Sequence, residues 1–157
     1  TLPEILRNMT KNEFLQAIRS TCVYKDNCEP EYQYWYPLTD IKENIPAVAY
    51  NLDAIYSSGN IEQIEKALAE CSIHNVISVQ NQDHKAEHEK IDLLFRLYES
   101  DGDGYNFPWY VENYYYDETK EWLIYVSHEG TITFAGEQIT QAAKKFIDNK
   151  YKVGESQ

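Results

Sequence analysis

Two histidines four residues apart could do chemistry in this chain. The stretch His84-Lys85-Ala86-Glu87-His88 has the H-x-x-E-H order, which suits zinc-dependent hydrolysis. On a helix, the two histidines would share one face and could hold a zinc ion while Glu87 polarises a bound water. Zinc also needs a third ligand, and no later segment predicts a helix with a glutamate placed to supply it. The alternative is an exposed first helical turn, and we expect neither a metal nor another cofactor.

Two further motifs resemble sites but are better explained as turns. Asp101-Gly102-Asp103-Gly104 is similar to the start of a calcium loop. An EF-hand needs an oxygen ligand and then a glycine where this chain has Tyr105 and Asn106, so a tight acidic turn is expected. Ser127-His128-Glu129 has the residue types of a catalytic triad, but neighbours on a strand point to opposite faces. With Gly130, it predicts a hairpin turn.

Tyrosine is unusually frequent, with 14 residues, and the aromatic side chains form two clusters. The first spans Tyr32 to Tyr36 and the second Tyr105 to Tyr116. Tyrosine and tryptophan offer a large contact area with a polar tip, which favours them in binding hot spots. Two interpretations stay open: packing inside the fold, or a surface of aromatic and acidic residues that binds a basic protein or a sugar. The residues predicted to bind a partner are Asp101, Asp103, Tyr105, Trp109, Glu112, Tyr114, Asp117 and Glu118.

The charge of the chain narrows the classes of partner. Aspartate and glutamate number 26 against 14 lysines and arginines, giving a net charge of −12. Non-specific nucleic-acid binding and docking on anionic membranes both require basic side chains. The acidic balance instead favours fast electrostatic association with a basic partner, although many small proteins are acidic without such a partner.

The cysteines and the apolar segments indicate the compartment. Cys22, Cys28 and Cys71 are odd in number and lack CxxC spacing, which fits a reducing compartment better than a disulfide framework. No apolar run is long enough to cross a membrane, and the first residues show no signal-peptide pattern. We therefore expect a cytoplasmic protein of one domain over residues 1–157.

The N-terminal part, about 1–72, predicts mainly helices. Thr10 and Glu13 form a capping box for a first helix that ends near Thr21. The alternating aromatics of 32–36 predict a short strand. A second helix is expected from Pro46 to Gly59, and a third from Asn60 to Cys71, packed together as an antiparallel hairpin.

The C-terminal part, about 101–149, predicts a β-meander and a helix. Residues 110–116, 122–127 and 131–135 alternate like strands and are separated by polar turns. The middle strand is apolar on both sides, so we expect it to be central and covered on both faces. Ile139, Ala142, Ala143 and Phe146 mark a final helix after Gly136, and 150–157 is expected to be a frayed tail.

The segments between these two parts are less regular. Ile73 to Val79 is rich in β-branched residues and predicts a strand. The apolar residues of Asp83 to Glu99 fit the spacing of a helix and also the alternation of a strand. The length of the segment and its start rich in lysine and glutamate favour a helix slightly. The expected class is therefore α+β, with an antiparallel sheet of three or more strands packed against several helices.

The stretch from Glu121 to Gly136, with the helix that follows it, resembles the C-terminal part of small bacterial immunity proteins of polymorphic toxin systems. This resemblance implies an α+β fold and a stoichiometric inhibitor role, and it transfers no catalytic residues to this chain. The leading hypothesis is thus an acidic cytoplasmic inhibitor, not an enzyme, that covers the cationic cleft of a toxin such as a nuclease. The alternatives are a small metal-dependent hydrolase centred on His84, Glu87 and His88, and a carbohydrate-binding or adaptor module.

Overall fold

An antiparallel sheet of seven strands organises the part of the chain that the computed structural model describes. The order across the sheet is β3-β2-β4-β5-β6-β1-β7, and each neighbouring pair is antiparallel. The described residues are 41–80, 85–90, 113–127 and 129–156, with the separate positions Glu13, Gln16, Ala17, Ser20 and Thr21. The strands are β1 (Ala47–Asn51), β2 (Asn75–Gln80), β3 (Lys85–Lys90), β4 (Asn113–Tyr116), β5 (Leu123–Val126), β6 (Thr131–Ala135) and β7 (Lys152–Glu155).

Three α-helices of the described chain lie on one side of this sheet. They are α1 (Leu52–Ser57), α2 (Ile61–Glu70) and α3 (Glu137–Phe146), and a 3-10 turn, Asn149–Tyr151, precedes β7. Helix α2 buries the apolar stripe predicted from its spacing, and α3 packs against α2. Sheet and helices together confirm the predicted α+β class.

Apolar side chains cover both faces of the sheet. Val48, Tyr115 and Phe134 belong to a core shared with the three helices, and we call this side the helix face. Tyr114, Tyr125 and Ala135 belong to a second core on the opposite face, against which Ala17 and Ile45 pack. Because both faces of the sheet are buried, the sequences of β4, β5 and β6 are nearly continuous runs of apolar residues.

The β-meander was predicted correctly for its described residues. Strands β4, β5 and β6 are consecutive neighbours, and all four residues of β5 are buried. Gly130 in the β5–β6 turn and Gly136 after β6 have φ angles of 82° and 127°, which favour glycine. A Cβ on Gly136 would also lie 2.8 Å from the carbonyl oxygen of Glu121, so the meander must end on a residue without a side chain.

The prediction of a helix starting at Pro46 was wrong for its first half. Ala47–Asn51 is strand β1, and the helix is limited to the six residues of α1. β1 pairs with β6 on one side and with β7 on the other. The paired residues are 80 or more positions apart in sequence, and these pairings outweigh a helical spacing that Val48 and Leu52 also satisfy.

Three other predictions need correction. Lys85–Lys90 is strand β3, paired along its whole length with β2, where the sequence slightly favoured a helix. The expected frayed tail forms the 3-10 turn and β7. The expected hairpin of two helices is replaced by the pairing of α2 with α3, because α1 is too short to offer a long apolar face.

Several predicted elements fall wholly or partly outside the described residues. The first helix is described only at Glu13, Gln16, Ala17 and Ser20, which are helical. The strand over residues 32–36 and the turn over residues 101–104 lie outside the described ranges. The strand predicted for Ile73 to Val79 is confirmed as β2, with bounds shifted by one or two residues.

Candidate functional site

The described part of the predicted partner-binding surface is the turn between β4 and β5, which we call the acidic turn (residues 117–121). Asp117 is partly buried, whereas Glu118 and Glu121 are exposed. The Asp117 carboxylate accepts hydrogen bonds from the backbone N–H of Thr119, at 3.0 Å, and from its hydroxyl. Asp117 therefore shapes the turn, while Glu118 and Glu121 present their carboxylates to solvent.

Lys120 is the basic residue of this turn, and its backbone is unusual. Its φ angle of 57° is left-handed, a conformation that non-glycine residues rarely adopt. Its N–H donates to the carbonyl oxygen of Asp117, at 3.0 Å, which closes the turn. The sequence predicted this polar turn, but it did not single out Glu121, whose only signal was its position beside Asp117 and Glu118.

Tyr114 was predicted to be an aromatic anchor that a partner protein buries, but the structure places its side chain inside the fold instead. Its side chain is fully buried in the core of the second face. Its ring stacks on Tyr125 of the neighbouring strand, with centroids 4.7 Å apart and an angle of 20° between the planes. Tyr115 and Tyr116 are also buried, on opposite faces, so these three tyrosines pack the sheet.

The structure brings together only part of the predicted site. Asp117 and Glu118 share one turn, and Tyr114 lies in the strand that leads into that turn but faces the interior. The remaining predicted residues lie outside the described ranges, namely Asp101, Asp103, Tyr105, Trp109 and Glu112.

An open groove of about 480 Å³ lies between the end of α2 and one side of α3. Lys145 donates to Glu70 across it at 2.9 Å, and Cys71 contributes a half-buried free thiol. Burial, followed by the negative charge of Glu70, raises the pKa of the Cys71 thiol. The thiol therefore stays protonated near neutral pH and is a poor nucleophile. The other lining residues are Gln138, Gln141 and Ala142.

The phenolic oxygen of Tyr151 joins the C-terminal segment to the start of α2. The Asn60 side-chain amide donates to its phenolic oxygen at 2.7 Å. Hydrogen bonding with Ser58, then with Asn60, and the nearby Lys150 ammonium lower the pKa of Tyr151 despite its burial. This arrangement fixes the 3-10 turn to the junction between α1 and α2.

The metal hypothesis finds no support in the described ranges. His88 and Glu87 belong to strand β3, so the helical spacing that would bring two histidines onto one zinc ion is absent over Lys85–Lys90. His84 lies outside the described residues. Among the residues that the structure describes, no three histidine, cysteine or acidic side chains are grouped as metal ligands would be.

None of the described helices has both the length and the apolar character needed to cross a membrane. Comparisons with known proteins found no matching family model, no similar curated protein and no similar solved structure.

Proposed function

We propose that this protein is an acidic binding protein, most concretely an immunity-type inhibitor of a basic toxin such as a nuclease, and that it acts in the cytoplasm. The observation that carries the proposal is the net charge of −12 together with the exposed carboxylates of the acidic turn. Complementary charge accelerates association with a basic partner and selects against acidic ones.

The acidic turn is suited to reach into a cationic cleft. It connects β4 and β5, two strands that are buried along their whole length, and its residues 118–121 are exposed. Asp117 fixes its backbone, so Glu118 and Glu121 are held on a rigid support. A rigid charged loop loses little conformational entropy on binding, which favours affinity.

The other two candidate functions lack a comparable observation. Zinc hydrolysis required a helix where Lys85–Lys90 is a strand. Sugar binding requires an aromatic ring open to solvent, and in the described ranges Tyr56 and Phe146 are only partly exposed while the other aromatic side chains are buried. Buried tyrosines such as Tyr114 cannot stack on a sugar.

The proposal is tested by affinity capture from lysate with the tagged protein and a charge-reversed variant. Glu118→Lys/Glu121→Lys alters the acidic turn without removing Asp117. We expect the wild type to retain a basic protein in stoichiometric amount at low salt. The variant should retain at least tenfold less of it, because two repulsive charges replace two attractive ones.

Glu43→Lys/Glu62→Lys is the matched control. It makes the same change in net charge at two exposed residues on other elements. Equal loss of the partner in both variants would show that only the overall charge matters. Retention of the same protein by wild type and Glu118→Lys/Glu121→Lys would remove the acidic turn from the interface.

A further inference from the structure

Strand β7 lies at one edge of the described sheet and has features that oppose pairing with another strand. Gly154 faces Ala49 and Lys152 faces Tyr50, so Val153 is an extra residue that bulges out of the ladder. Its side chain is 55% exposed. Bulges and charged residues are the common means by which proteins protect sheet edges, and β7 also carries Lys152 and Glu155.

Apart from its backbone pairing with β1, β7 is held to the molecule mainly at its two ends, because none of its four residues is buried. Before the strand, Tyr151 is buried. After it, the Ser156 N–H donates to the Ala47 carbonyl at 2.9 Å, and the Ala47 N–H donates to the Ser156 hydroxyl at 2.7 Å. Between these ends, Glu155 pairs with Lys144 and Lys152, but exposed ion pairs contribute little free energy.

β1, the strand that pairs with β7, has no such features that oppose pairing. β1 reads Ala-Val-Ala-Tyr-Asn, has no charged residue, and is buried from Ala47 to Tyr50. Along a strand, the backbone N–H and C=O groups of successive residues point alternately to the two neighbouring strands. Because Ala47 is hydrogen-bonded to Ser156, the backbone groups of Ala47 and Ala49 face β7. Those of Val48 and Tyr50 face β6.

We propose that β7 protects the edge of β1 and can detach from it without global unfolding of the protein. Two copies of this chain then pair through the β1 edges that β7 has left. The occupant of the uncovered edge is a second copy because β1 is complementary to itself. In an antiparallel pairing centred on Ala49, alanine meets alanine, and Val48 meets Tyr50 of the other copy on the helix face. No charged residue of either β1 is brought into contact, although each chain carries a net charge of −12.

Hydrogen exchange of the full chain tests the detachment. Within β1, the amides of Ala47 and Ala49 are protected by β7, whereas those of Val48 and Tyr50 are protected by β6. We expect protection factors for Ala47 and Ala49 that are lower by on the order of tenfold or more, which corresponds to an opening that costs at least about 1.4 kcal/mol less than global unfolding. Equal protection of all four amides would overturn the proposal.

A variant of the full chain tests the pairing. Gly154→Pro removes the N–H that faces Ala49, whereas Gly154→Ala keeps it and serves as the control. Sedimentation should show dimers for Gly154→Pro and monomers for Gly154→Ala and the wild type. A folded, monomeric Gly154→Pro protein with unprotected Ala47 and Ala49 amides would refute the pairing. If Gly154→Pro does not fold, exchange in the wild type still decides whether β7 detaches.

Discussion

The tyrosines of β4 show how a residue type that often marks binding sites can serve the core instead. Tyr114 and Tyr116 fill the second face, and Tyr115 fills the helix face, with at most 6% of each side chain exposed. A four-residue strand between two cores needs large side chains on both sides, and tyrosine suits such positions. Binding through aromatic residues is therefore not a property of β4.

Replacement of Tyr114 should reduce stability. Tyr114→Ala removes a buried ring and its stack on Tyr125, so we expect a loss of about 3–5 kcal/mol in the free energy of unfolding, measured with urea. Tyr114→Phe keeps the ring and should cost much less. Unchanged stability in Tyr114→Ala would contradict the observed burial.

Tyr50 should make stability depend on pH in the alkaline range. Burial, followed by the charge of Glu155, raises its pKa to about 12, against about 10 in an unfolded chain. The native state therefore holds the phenolic proton to higher pH. The resulting stability is complete below about pH 10 and is lost between about pH 10 and 12, by on the order of 2 kcal/mol.

Unfolding in urea at several pH values across this window measures the effect. Tyr50→Phe cannot titrate and keeps the ring that packs edge-on against Phe134. We expect the free energy of unfolding of Tyr50→Phe to fall less steeply with pH than that of the wild type. Parallel pH profiles of the two proteins would assign the alkaline loss to other groups.

At the scale of elements, two asparagines precede helices but play different roles. The Asn51 side chain accepts a hydrogen bond from the Ala54 N–H at 3.0 Å and caps α1. Asn60 has the sequence of a capping box with Gln63, but its side chain makes no cap and donates to Tyr151 instead. The Gln63 side chain likewise accepts from the backbone N–H of Asp148. The side chains of Asn60 and Gln63 thus bond to the C-terminal segment instead of capping α2. Their spacing in the sequence could not predict these partners.

The Asn51 cap should be worth about 1 kcal/mol. We expect Asn51→Ala to lower the free energy of unfolding by this amount, because the Ala54 N–H loses its acceptor. Asn51→Asp keeps an acceptor and places a negative charge at the positive end of α1, so it should be close to the wild type. Thermal or urea unfolding of the three proteins compares them, and a stable Asn51→Ala variant would show that the cap contributes nothing.

At the scale of the whole molecule, the charge of −12 opposes compactness. Carboxylates on one folded chain repel one another, and salt screens this repulsion. We expect the free energy of unfolding to rise between about 10 mM and 150 mM salt. A fall would mean that ion pairs such as Lys145–Glu70 outweigh the general repulsion.

The amino-acid sequence was enough to predict the fold class, the meander of β4, β5 and β6, and the helices α2 and α3. Each of these rests on local patterns: alternating residues, turn residues such as Gly130 and Gly136, and apolar stripes at helical spacing. It also determined the charge on which the proposed function depends.

Long-range contacts in the folded protein determine the secondary structure of Ala47–Asn51, Lys85–Lys90 and Lys152–Glu155. All three are strands because a distant segment supplies the hydrogen-bond partners, as β6 and β7 do for β1. The tertiary structure also decided which members of the predicted site reach solvent. Tyr114 and Glu118 lie four residues apart, but one faces the second core and the other a solvent-exposed turn, because packing across the sheet determines burial.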